Sequence, residues 1–233
     1  MKSNFLKSAA VGALVASLAY GPVLAQSFNP VPNIGAYGSG GTLVPFTAGL
    51  TGSYTKTLVS GTMAAGLAAD APIFSFRYTG TGTAVVKRIA ISAADSGTAF
   101  TAGFGYFNLF FARGFTASDT GGTAGTLTGN NGKLRTSFGT TAVGDMRIGS
   151  TGTLTAGTRT LDSSPIASLV EGFIATAGTG ITVGYENLWN AQNAGDYPIV
   201  LANNEGLVIQ ANVPATGTWQ FAVQIEWDEY SSY

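Results

Sequence analysis

The stretch Trp219-Gln220-Phe221-Ala222-Val223-Gln224-Ile225-Glu226-Trp227 sets a large apolar side chain at every second position over nine residues. A β-strand turns successive side chains to opposite faces, so this period of two gathers all five large groups on one face. That face must be core. Ahead of it stand Leu207-Val208-Ile209-Gln210-Ala211 and the turn-prone Pro214-Ala215-Thr216-Gly217, and residues 206 to 227 therefore read as an antiparallel hairpin.

Working outward, Phe74, Phe76 and Tyr78 alternate with Ser75 and Arg77. Tyr78 to Thr83 supplies a Gly/Thr turn, and Val85, Lys87, Ile89 and Ile91 alternate with Val86, Arg88 and Ala90. Together these predict two neighbouring strands. The most aromatic run, Phe104 to Arg113, reads as a fully buried strand rather than a ligand-stacking platform, because aromatics dominate cores and no polar cluster accompanies them. Thr116 to Arg135 holds Gly121-Gly122, Gly125, Gly129 and Asn130-Asn131-Gly132 and reads as a nearly structureless insert, of a length that is usually functional or mobile. Ile148, Leu154, Leu161, Ile166, Leu169 and Phe173 are scattered between Thr, Gly and Ser, which fits short strands and wide turns. Helical character is confined to Glu186 to Gln192. Short strands joined by long loops predict an all-β fold, an antiparallel β-sandwich of jelly-roll type, over residues 67–233.

Residues 26–66 contain Pro30, Pro32, Pro45 and the run Gly38-Ser39-Gly40-Gly41 but few long apolar runs, and read as an extended arm that cannot close a core by itself. Residues 1–25 place Lys2 and Lys7 before an apolar stretch from Ala9 to Tyr20, then Gly21-Pro22 and Val23-Leu24-Ala25. This is the layout of a secretory signal peptide cut after Ala25. The same residues also read as a retained N-terminal anchoring helix or arm. The stretch is short and interrupted for a membrane span, which needs about 20 apolar residues.

Composition excludes several function classes. The 233 residues include no cysteine and no histidine, which removes disulfides, thiolate metal sites, thiol nucleophiles and the usual general base. Eleven basic and twelve acidic side chains give a net charge of -1, with no positive field to hold a phosphate backbone, so nucleic acid is not an expected partner. The chain is 45% hydrophobic and 10% charged, and its 33 glycines and many threonines mark a turn-rich β protein rather than a disordered one.

Candidate chemistry is sparse. Acidic residues after residue 66 are spread singly except for Glu226, Asp228 and Glu229, the place where a hydrolase would have to find its paired carboxylates. Calcium could draw oxygens from Asp119, Asn130 and Asn131, or from Asn203, Asn204 and Glu205, but neither set has a calcium-loop spacing, and Asx side chains commonly cap their own turns. A serine nucleophile would need Lys87 or Lys133 beside it, and no motif supports that. Arg135, Arg147 and Arg159 recur every twelve residues, as on successive exposed strands or loops, with an anion-binding row as the alternative. The expectation is no catalytic, metal or cofactor site.

Leu127 to Ser137, Asp145-Met146-Arg147-Ile148, Leu154 to Asp162, Ala194 to Leu201, Asn204 to Ile209, and Ala215-Thr216-Gly217-Thr218-Trp219 through Trp227 together carry a resemblance. Over roughly residues 73–229 the chain resembles structural proteins of tailed bacteriophages encoded near head genes. The resemblance implies a non-enzymatic virion component, a minor capsid or head-decoration protein. Its partners would be copies of itself, in a homo-oligomer with a trimer as one geometry, and the major capsid protein or other virion proteins. A phage head protein has no use for a cleaved signal, so a mature chain starting at Gln26 would instead indicate a secreted or cell-surface binding module. That module would grip carbohydrate with the 116–135 loop and with Tyr185, Trp189 and Tyr197.

Overall fold

Thirteen strands run through the described residues of the computed structural model, which are 49–64, 66–67, 70–173, 183–191 and 197–231. They are β1 (Leu50–Val59), β2 (Met63–Ala64), β3 (Ala71–Tyr78), β4 (Thr83–Asp95), β5 (Gly103–Ala117), β6 (Thr123–Ala124), β7 (Val143–Ile148), β8 (Thr158–Leu161), β9 (Ala167–Phe173), β10 (Val183–Asn190), β11 (Ile199–Leu201), β12 (Glu205–Asn212) and β13 (Thr218–Tyr230). Two antiparallel sheets result. In the first, β1, β13, β4 and β10 lie side by side, with β11 also on β4 and β2 also on β13. In the second the order is β6, β7, β3, β12, β5, β8, with β9 also on β5.

The alternation on β13 does what the sequence requires of it. Trp219, Phe221, Val223, Ile225 and Trp227 are each no more than 2% exposed, and they share one core cluster with Phe74, Phe76, Phe107, Leu109, Leu207 and Ile209 of the opposite sheet. Each such side chain contributes about 1.5–3 kcal/mol by leaving water. Two aromatic groups mark the ends of the core. Trp227 stacks on Tyr54 of β1 and meets Phe76 of β3 edge-on, both at 5.3 Å between ring centroids. Trp219 stacks on Phe221 at 5.0 Å and tilts against Phe107 at 5.9 Å.

Several expectations are corrected. Residues 206–227 do not form a hairpin: β12 pairs with β3 and β5, whereas β13 pairs with β1 and β4. Likewise β3 and β4 belong to opposite sheets and are not neighbours. The connecting segments, residues 213–217 and 79–82, are long enough to cross the roughly 10 Å between packed sheets. A period of two says which face of a strand is buried but is silent on which strand lies beside it. Residues 50–59 are not part of an arm, because β1 pairs with β13 from Leu50↔Tyr230 to Val59↔Ala222, and the compact unit begins at Gly49 rather than at residue 67. Residues 1–48, with the expected leader and the rest of the arm, lie outside the described residues. Phe104 to Arg113 is strand but only half-buried, with Phe104 67% exposed and Phe107 fully covered. The expected helix near Glu186 is strand β10, as far as the described residues run.

The β4 alternation also slips. Glu226 pairs with Arg88 but Trp227 pairs with Val86, which leaves Lys87 as an extra residue in a bulge. Val86, not Val85 or Lys87, therefore joins Ile89 and Ile91 in the core.

The two β13 tryptophans differ in one respect. Trp227 Nε1 donates to Glu229 at 3.1 Å, whereas Trp219 Nε1 is buried with no hydrogen-bond partner. Replacing each with phenylalanine removes similar volume, so Trp227→Phe is expected to be the more destabilising by about 1–2 kcal/mol, the cost of a lost buried hydrogen bond. Urea unfolding of the two variants checks this, and equal losses would contradict it.

Candidate functional surfaces

The strand period that buries Trp227 also sorts the acidic cluster. Glu226 and Asp228 face outward and Glu229, two residues beyond Trp227, faces the core. The β4 bulge sets the consecutive cations Lys87 and Arg88 against the two outward acids: Lys87 Nζ lies 2.8 Å from Asp228, and Arg88 pairs with Glu226. Ser53 Oγ also donates to Asp228, at 2.5 Å. Arg88 lies over the Tyr185 ring at 5.4 Å, and the Tyr185 hydroxyl donates to Gln224. These acids do not face one another across a cleft. Glycoside hydrolysis requires two carboxylates on either side of the scissile bond, and here the strand itself separates Glu229 from the other two.

Glu229 is 3% exposed and has no lysine or arginine partner among the described residues. A carboxylate taken out of water without a cation must be met by donors. The donors are Trp227 Nε1, the Ala142 backbone N–H at 3.0 and 3.1 Å to its two oxygens, and the Thr141 hydroxyl. Burial first, and the Glu229 charge second, push the phenols of Tyr54 and Tyr78 up to about 12. The Tyr54 hydroxyl donates to the Gly139 carbonyl at 3.1 Å, so this end of the core fastens residues 139–142 from two directions.

Residues 116–135 are tied down as well. Asp119 is fully buried and accepts two bonds from Arg159, at 2.8 and 3.0 Å, and one from the Gly157 N–H at 2.9 Å. Arg159 lies over Phe115, which with Ala112 and Val208 forms a small second core on the outer face of the second sheet. Further along, Thr55 N–H donates to Gly132 and Leu134 N–H to Ser53, which lays the segment along the free edge of β1. The insert is thus a cover, stapled at Asp119 and at β1.

These contacts disperse the calcium candidates. Asp119 is consumed by Arg159, and Asn131 Nδ2 caps its own turn on Thr128 at 2.7 Å. In the other set, Asn203 donates to the Thr79 and Gly80 carbonyls, while Glu205 accepts from the Ala202 N–H and from Arg113. The hydrogen bonds to Glu205 and Asp162 push the Arg113 guanidinium above its ordinary value. Among the described residues no group of three or more acidic, His or Cys side chains could hold a metal ion. The arginine row does not form either. Arg159 is buried, Arg147 pairs with Asp145 on its own strand, and Arg135 lies over Phe138.

Exposed apolar groups remain. Tyr197 is 87% exposed and Tyr185 is 52% exposed, but Trp189 is half-buried and packs against the core. The sequence reading missed a second group on the outer face of the second sheet, where Phe104, Tyr106 and Val170 stand exposed and Tyr106 pairs with Val170. The sequence carries no signal for this: in Phe104-Gly105-Tyr106-Phe107-Asn108 the glycine and the asparagine fall on opposite faces, so apolar and polar residues do not alternate. A shallow depression of about 200 Å³ lies on the first sheet between Val59, Ser92, Ala94 and Ala222. No helix among the described residues is long and apolar enough to cross a membrane. No protein-family model matches the chain, and neither a curated protein nor a solved structure does.

Two outcomes follow. Removing the carboxylate in Asp119→Ala strands a buried guanidinium and is expected to cost about 3–5 kcal/mol, much of it recovered in the apolar pair Asp119→Leu with Arg159→Met; thermal melts of the three proteins check this. Second, folded Tyr54 and Tyr78 keep their protons to about pH 12, whereas unfolded tyrosines release theirs near pH 10. Stability is therefore whole below pH 10 and falls between pH 10 and 12, by roughly 2–3 kcal/mol for each phenol. A pH titration followed by tyrosinate absorbance and circular dichroism should place the unfolding in that window. The Tyr54→Phe, Tyr78→Phe double variant should lose less of its stability there than the wild type.

Proposed function

We propose that this chain is a non-enzymatic structural protein of a phage particle, capsid-associated as a decoration or minor capsid protein, with a sandwich of jelly-roll type. The observation that carries the reading is the strand order. Setting aside the short strands, the principal strands along the chain are β1, β3, β4, β5, β9, β10, β12 and β13. They are arranged β1-β13-β4-β10 in one sheet and β3-β12-β5-β9 in the other. Every step along that series changes sheet except the step from β5 to β9. Two interleaved Greek keys of eight strands produce this order, and the architecture recurs in viral capsid proteins. The family resemblance over residues 73–229 points the same way.

Chemistry adds support. The outward acids of β13, Glu226 and Asp228, are neutralised by cations on β4, and Asp119 by Arg159, so charge is spent on holding strands and covers in place. Low charge and exposed apolar groups suit a protein that buries surface against copies of itself and against other shell proteins. Its place would be the virion.

A second reading has its own observation. Jelly rolls also serve as lectin domains, and fold alone does not assign function. The exposed rings of Tyr185 and Tyr197 could stack on sugars, as a secreted or cell-surface module would require. The two readings separate on one experiment. Expressed from its own genetic context, the protein should sediment with particles at a fixed ratio to the major shell protein. Recovery solely as free protein, together with binding on a glycan array, would overturn the virion reading in favour of the second.

A further inference from the structure

Sheet edges expose unpaired backbone donors and acceptors, and proteins block those edges unless they use them. Three of the four edges here are blocked or broken. Residues 132–134 cover β1 through the bonds from Thr55 and to Ser53. Strand β6 and the Gly125 N–H cover β7. Strand β10 is interrupted by two register shifts.

The fourth edge is made by β8 and β9, and among the described residues β9 has one such device, the charge of Glu171 on the face it shares with Leu169. Its seven residues, Ala167-Ser168-Leu169-Val170-Glu171-Gly172-Phe173, pair with β5 in unbroken register from Gly103↔Phe173 to Leu109↔Ala167. The strand contains no proline, no lysine and no bulge, and no described residue pairs with its outer edge. A Cβ added at Gly172 would meet nothing within 4 Å.

We infer that β9 is a self-association edge, at which a second copy of this chain adds its own β9 antiparallel about a twofold axis through Val170. The inference names the surface for the self-association proposed above and so rests on that reading. Register and chemistry both select this occupant. With Val170 opposite Val170, Glu171 stands opposite Leu169 of the copy, and no like charges meet. Directly opposed residues share a face. The exposed Val170 and Tyr106 of one copy therefore continue into Val170 and Tyr106 of the other as a four-residue apolar stripe, with Phe104 at its flank. An isologous contact of this kind closes as a dimer, so the unit in solution is twofold rather than a trimer. A seven-residue edge is small for a specific interface, and the dimer is expected to form at tens of micromolar or above.

The test uses the full chain. Sedimentation velocity across about 5–500 µM should show a concentration-dependent dimer, and Val170→Lys, at a position 53% exposed, should abolish it without changing the circular dichroism or the melt. Because the chain has no cysteine, Val170→Cys carries a single thiol. Opposed residues of a β pair lie within disulfide reach, so mild oxidation should give a linked dimer. Tyr197→Cys, also exposed, should link far more slowly. A wild type that stays monomeric throughout, a dimer that survives Val170→Lys, or equal linking at positions 170 and 197 would each overturn the inference. Linking at 170 in a protein absent from particles would uphold the edge and remove the virion reading. Unaltered incorporation of a still-dimeric Val170→Lys protein into particles would do the reverse.

Discussion

Trp227 joins three parts of the molecule. Tyr54 of β1 stacks on its face, Phe76 of the opposite sheet meets it edge-on, and its indole N–H reaches the buried Glu229. Because β13 lies between β1 and β4, the inward face that Trp227 ends is the floor on which the second sheet packs. Glu229 extends this arrangement to the loops. Held by Trp227, it accepts from residues 141 and 142, while Thr79 bonds the Ala142 carbonyl, so the segment that follows the covered β1 edge is pinned before it enters β7. The cost of a carboxylate without a cation is met by donors that are themselves fixed in place.

How much of this was legible depends on what a local pattern can encode. The buried face of β13 was readable in full, because a period of two is a property of one strand. The sandwich was readable at the level of class. Partner choice was not, since the apolar run of β12 and the alternation of β13 read the same whether the two strands pair or face each other across the core. The bulge at Lys87 was hidden for a related reason. One extra residue inverts every later position, and Val85 and Val86 are equally apolar.

The site followed the same division. Sequence could place Glu226, Asp228 and Glu229 together, but the strand puts them on two faces. Asp119 and Arg159 stand forty positions apart and become a buried pair through folding alone. The exposure of Phe104 and Tyr106 was hidden as well, because Gly105 between them is the residue turned to the core. The charged pairs traced above hold strands and loops together. What emerges is a set of staples and covers, and one strand edge without either.

The pairing of β1 with β13 joins the beginning of the sandwich to its end, with Leu50 opposite Tyr230. The strand at the middle of the first sheet is thus the last of the thirteen to be synthesised. Until then β1 and β4 have no common neighbour, and the inner faces of β3, β5 and β12 lack the middle of their floor, the face from Trp219 to Trp227. Contacts between residues so distant along the chain pay their loop-closure entropy late and form slowly. The nascent protein must therefore carry its aromatic inner surfaces incompletely covered until β13 has emerged, and the sandwich closes late rather than growing strand by strand.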